Sequence, residues 1–139
     1  MKYWIITVKE PYCGYILRGV KTIELRKAIP SSLSIGDVIF IVRKGEKGHI
    51  VGACKVTSVK KESVWYYSHY CIDEHKIYVQ DVLDYAGQRR FLFGIGLKKL
   101  KLYAWCLYVR SFGYDSPPQN FYRIKPEYMS TIDRVLIKI

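Results

Sequence analysis

Pro11-Tyr12-Cys13-Gly14-Tyr15-Ile16-Leu17-Arg18-Gly19-Val20-Lys21-Thr22-Ile23-Glu24-Leu25-Arg26-Lys27 changes its period halfway along. In its first half Tyr12, Tyr15, Ile16 and Gly19 fall at the three-and-four spacing of one helical face. Pro11 suits a first helical turn, because the N–H it lacks would have no partner there. Gly19 is the natural stop, since glycine accepts the left-handed backbone that closes a helix. From Lys21 the period becomes two, with Ile23 and Leu25 on one side and Thr22, Glu24 and Arg26 on the other. The stretch therefore predicts a short helix followed directly by a half-buried strand with a polar face.

Working outward, Tyr3 to Val8 reads as a first strand, because Lys9 and Glu10 cut its apolar run short and no cleavage site follows. Beyond the motif, Pro30-Ser31-Ser32 and Ile35-Gly36-Asp37 mark a loop before Val38-Ile39-Phe40-Ile41-Val42, a strand buried on both sides. The basic turn from Arg43 to Gly48 leads into Ile50 to Val59, which completes a hairpin. Val64 to Tyr70 predicts an aromatic helical turn. Val79, Val82, Leu83 and Ala86 set out an amphipathic helix that Gly87 closes. Phe91 to Tyr103 is strand-rich, Phe121 to Ile124 forms another strand, and Arg134 to Ile139 adds an edge strand. No repeat interrupts this order.

The chain has 139 residues, half of them hydrophobic, which is enough for one domain, 1–139, with a genuine core. No apolar run is long enough to cross a bilayer, so no membrane span is expected. Cys13, Cys54, Cys71 and Cys106 include no C-x-x-C pair. That argues for reduced thiols, a cytoplasmic setting and no zinc ribbon. His69, Cys71 and His75 lie close in sequence, but cysteine and histidine among apolar and aromatic neighbours read as packing residues. Neither a metal nor a cofactor is expected. Twenty-three Lys and Arg against 12 Asp and Glu give a net charge of +11. Such an excess favours polyanions by counterion release, and 13 tyrosines supply rings of the kind unstacked bases need.

The run from Pro11 to Lys27, with its Gly-x-Lys-Thr and Glu-x-Arg pattern, resembles the ASCH family, the activating-signal-cointegrator homology domains of PUA-like fold. Ile35-Gly36-Asp37-Val38 resembles the family's next element. Leu92 to Tyr103, Phe112-Gly113 and Pro117-Pro118-Gln119 are similar to the C-terminal half of its compact prokaryotic and phage members. The resemblance implies an α+β, mainly β protein: a PUA-like β-barrel with two or three short helices, a cleft beside the Gly-x-Lys-Thr turn, and a role with RNA. Some members are hydrolases of RNA or of acylated cytidine nucleosides, using a lysine, a threonine and an acidic residue. Lys21 matches that lysine, while Glu24 stands at the place of the nucleophilic threonine.

Lys21, just past the helix stop, either reaches over the cleft mouth to a phosphate or carbonyl oxygen or is a solvated turn lysine. General-base work requires a lowered pKa, whereas a neighbouring Glu24 favours the charged form, so binding is the preferred role. Arg26 offers its planar fork to phosphate or a base edge while Glu24 accepts from an amino group. Alternatively, the two pair with each other or with neighbouring strands to close the barrel. Tyr12 either stacks on a base or packs its helix. Lys98, Lys99 and Lys101, with Arg43 and Lys44, form a phosphate track or a solvated edge. The ligand-binding set is Tyr12, Lys21, Thr22, Glu24, Arg26, Lys27 and Gln119, with Lys21 and Glu24 as the catalytic pair of a hydrolase alternative. A third reading, a protein-interaction adaptor, uses aromatic surface around Trp65, Tyr66 and Tyr67.

Overall fold

In the computed structural model, which describes residues 1–102 and 107–136, the periodicities above become a mixed sheet wrapped by short helices. The chain runs β1 (Tyr3–Val8), α1 (Tyr12–Leu17), β2 (Ile23–Arg26), β3 (Val38–Arg43), β4 (Ile50–Ser63), α2 (Val64–His69) and α3 (Ile72–His75). It continues through α4 (Val79–Ala86), β5 (Phe91–Leu100), β6 (Phe121–Arg123) and α5 (Met129–Val135). Among the described residues the six strands form one sheet in the order β2-β5-β4-β3-β1-β6. Strands β1 and β3 are parallel, in register from Tyr3 opposite Val38 to Val8 opposite Arg43. The other strand pairs are antiparallel.

The two-sided burial of β3 explains its unbroken apolar run. Val38, Phe40 and Val42 pack into one cluster with Tyr3, Ile5 and Phe112. Ile39 and Ile41 pack into another with Trp4, Ile6, Ile16 and Ile95. Each such side chain contributes about 1.5–3 kcal/mol by leaving water. The buried Asp37 carboxylate pins the start of β3 to β1, accepting from Lys2 N at 2.9 Å, Trp4 Nε1 at 3.0 Å and Ser34 N at 2.9 Å. Burial alone would raise its pKa, but these hydrogen bonds outweigh it and hold the carboxyl below its ordinary value.

Among the described residues the expected barrel is not closed: strands β2 and β6 end the sheet, and no ladder joins β2 to β1. The flank between them is crossed by the Arg26 side chain, whose Nη2 donates to Thr7 O at 2.7 Å. The edge strand expected over Arg134 to Ile139 is corrected at Arg134 and Val135, which end α5 because Ile132 and Val135 turn together onto the first cluster. Leu136 leaves the helix in an extended conformation and forms an isolated antiparallel bridge with Leu102. Residues 137–139, like Tyr103 at the end of the long strand reading and Cys106, lie outside the described residues. Strand β4 runs four residues beyond Val59, and α3 is an element the periodicity did not reveal.

Candidate functional site

The corner between α1 and β2 is built as the motif requires. Gly19 has φ +75, and the N–H groups of Val20 and Lys21 both donate to Tyr15 O, at 3.0 and 3.1 Å. Thr22 N donates to Glu74 O at 2.8 Å, which docks the corner on α3. This docking covers Lys21, which is only 1% exposed. Its Nζ donates to His75 O, lies 3.6 Å from Glu24 Oε1 and sits 5.3 Å from the centre of the Tyr12 ring. Neither a reach over the cleft mouth nor a solvated turn describes it. Burial pushes its pKa down, and the Glu24 carboxylate only partly restores it.

Glu24 is 6% exposed and shared between two cations. Oε1 faces Lys21, while Oε2 accepts from Arg26 Nε at 2.9 Å and lies 2.8 Å from Arg26 Nη2. With Thr7 O as a further acceptor, the guanidinium is fixed between β2 and β1. The pairing of Glu24 with Arg26 is thus present within β2, while the bond from Arg26 to Thr7 O crosses the unpaired flank to β1.

Beside this flank opens a cavity of about 760 Å³. Tyr12 of α1, Glu24 and Arg26 of β2, Asp81, Asp84 and Tyr85 of α4, Thr7 and Lys9 at the end of β1, Lys44 and Gln119 all line it. Thr7 Oγ1 donates to Pro118 O at 2.8 Å, tying the Gln119 loop to β1. Four of the residues singled out from sequence, Tyr12, Glu24, Arg26 and Gln119, therefore share one concavity. Lys21, Thr22 and Lys27 are not among its lining residues. Lys21 lies buried, Thr22 is exposed, and the exposed Lys27 places Nζ 4.8 Å from the centre of the Tyr85 ring. Burial raises the pKa of both Tyr12 and Tyr85, so their hydroxyls stay protonated at neutral pH.

The sequence reading missed Asp81, Asp84 and Tyr85. Its signal on α4 was the buried Val82 and Ala86 face, and periodicity alone does not say what the opposite face meets. Among the presumed track lysines, Lys44 lines the cavity, whereas Lys98 stands opposite Lys55 and Lys99 opposite Cys54 along β4 and β5. Arg43 pairs with Glu10 and Glu46. The aromatic surface is also smaller than expected: Trp65 is 60% exposed, but Tyr67 is buried and donates to Lys60 O at 2.9 Å.

Cys13, Cys54 and Cys71 are free thiols, and burial pushes Cys13 up to about 11 and Cys54 up to about 12, out of thiolate range. Both ring nitrogens of the buried His75 are engaged, Nε2 with Tyr67 O and Nδ1 as acceptor from Ile77 N. Among the described residues no cluster of three or more His, Cys, Asp or Glu is placed to hold a metal ion. Nor is any helix among them long and apolar enough to cross a membrane.

These features define an α+β module with an open mixed sheet and a polar, partly aromatic cavity on its unpaired flank. The ASCH domain model matches residues 6–114, and the chain belongs to the ASCH domain family. The ASCH protein from Zymomonas mobilis superposes with a TM-score of 0.83 at 16% identity, over 99% of this chain and 97% of that one. A mutant form of the same protein gives the same TM-score and identity, over 99% of this chain and 100% of that one. Hypothetical protein PH0355 superposes with a TM-score of 0.54 at 18% identity, over 72% of this chain and all of the other. At these identities the likeness is one of fold. No curated protein matches the chain by sequence.

Proposed function

We propose that the chain is an RNA-binding ASCH module that receives one nucleotide of an unpaired strand, or a free nucleoside-type ligand, in the cavity between α1, β2 and α4. The observation that carries this reading is the Arg26 guanidinium, held by Glu24 and Thr7 O in a cavity wall shared with the Tyr12 and Tyr85 rings. A pre-oriented guanidinium recognises phosphate or a base edge in a plane, and the rings supply stacking surface. The volume falls within the range of small-ligand sites, about 300–1,000 Å³. Gln119, in the loop tied to β1, adds a donor and an acceptor to the cavity lining. Lys27, beside Tyr85, adds a phosphate contact at the rim, as Thr22 does near the corner. Lys21 acts by positioning Glu24 from below. The net charge of +11 favours such a partner throughout.

A second reading, hydrolysis of RNA or an acylated nucleoside, draws on the lowered pKa of Lys21 beside Glu24. It has less support, because Lys21 Nζ is committed to His75 O and Glu24, and both carboxylate oxygens of Glu24 already face cations. Titration of labelled single-stranded RNA by anisotropy, across a salt series, tests the binding reading. Affinity should fall steeply with salt. Failure to bind at low salt would overturn it, and turnover of RNA or acylated nucleosides that Glu24→Gln abolishes would put hydrolysis in its place.

A further inference from the structure

We propose that Lys61, Phe93 and Phe91 extend the Arg26 end of the cavity into a platform on which the neighbouring nucleotides of an unpaired RNA strand stack. The inference rests on the RNA reading above and specifies how a strand longer than one nucleotide is held. Its basis is a row across three strands. Arg26 on β2 stands opposite Phe93 on β5, and Phe93 stands opposite Lys61 on β4. Directly opposed residues project from the same face of a sheet, so these three side chains lie abreast across two strand spacings, about 10 Å.

One row deeper on that face come Glu24, Ile95 and Val59, with Ile95 wholly buried. Toward the open end the next pair is Phe91 opposite Ser63. The face therefore leaves the core between Ile95 and Phe93, and Phe91 is 48% exposed. Lys61 is exposed too. Its Nζ lies 4.9 Å from the Phe91 ring centre and 5.8 Å from that of Phe93, and it forms no ion pair with a carboxylate among the described residues.

An apolar ring left half in water beside an unpaired ammonium has little packing to gain, but it is what a base and its phosphate need. The occupant is set by continuity and charge. The row begins at the guanidinium that lines the cavity, and the chain is strongly basic. A duplex hides its base faces, so the platform selects unpaired strands.

The test is a length series of single-stranded RNA, from a mononucleotide to a tetranucleotide, titrated with the wild type, Phe91→Ala, Phe91→Leu and Lys61→Ala, and with Arg26→Ala as the cavity control. Wild-type affinity should rise with length. Both Phe91 variants should remove that gain, about 5- to 150-fold for one lost stack, while the mononucleotide binds as before. Phe91→Leu keeps apolar bulk without a ring, so a merely structural role would spare it. Lys61→Ala should shallow the salt dependence. If Arg26→Ala weakens every oligonucleotide but the Phe91 and Lys61 variants match the wild type at all lengths, the platform is wrong and the cavity reading stands. Equal loss at every length, mononucleotide included, also overturns it. Should no RNA bind the wild type, both readings fail together.

Discussion

Arg26 Nη2 donates to the main-chain carbonyl of Thr7 at 2.7 Å, so one side chain crosses the flank on which β2 and β1 form no ladder. A ladder there would fill the space with backbone. A side-chain bridge instead leaves a concavity whose wall carries a fixed guanidinium.

Arg26→Ala should weaken single-stranded RNA binding by about 1.5–3 kcal/mol, the scale of a hydrogen bond to a charged group. Arg26→Lys should recover little of it, because an ammonium lacks the planar fork that meets Glu24 and Thr7 O while facing a ligand. Anisotropy titration of both variants decides the point, and full recovery by lysine would show that charge alone matters.

Glu24 neutralises two cations, one of them wholly buried. Glu24→Leu should therefore destabilise the fold by about 3–5 kcal/mol, the cost of leaving a buried charge without its partner. Lys21→Met should cost less, since Glu24 keeps Arg26 and the methionine fills the lysine's apolar path. Urea denaturation at pH 7 compares the two, and the reverse order would contradict this account.

His75 supplies a pH signature. Its imidazole is wholly buried, burial pushes its pKa below 6.5, and Nδ1 accepts from Ile77 N, which requires the neutral ring. Below pH 6.5 the unfolded chain takes up a proton that the folded protein refuses. Stability should hold above that pH and fall as the pH drops toward the folded-state pKa. Denaturant midpoints between pH 7.5 and about 5 should slope less in His75→Gln than in the wild type; parallel profiles would assign the slope to other groups.

Two glycines in the sheet should respond differently to alanine. A Cβ at Gly94 overlaps the hydroxyl and ring of Tyr67, which is buried and tied to Lys60 O. A Cβ at Gly52 overlaps only the tip of Leu17. Gly94→Ala should cost about 1–3 kcal/mol by overpacking, and Gly52→Ala less, because a leucine end can turn aside. Thermal melts of the two variants measure the difference.

Much of this protein follows from its sequence alone, because the forces involved act over a few residues. The change from helical to strand period at Lys21, the left-handed stop at Gly19 and the two-sided run Val38–Val42 all express local sterics and patterning. The motif from Pro11 to Lys27 carried the family as well, and it placed Tyr12, Glu24 and Arg26 around one cavity. Only the tertiary structure decided the rest. Lys21 reads as a surface lysine until His75, 54 residues further along the chain, brings its carbonyl over Nζ and removes the water. The acidic and aromatic wall of α4 was likewise silent, since a polar helix face shows its exposure to periodicity but not its neighbour. Strand patterning also could not show that the flank stays open, because alternation records which side of a strand is buried and not whether its edge finds a partner.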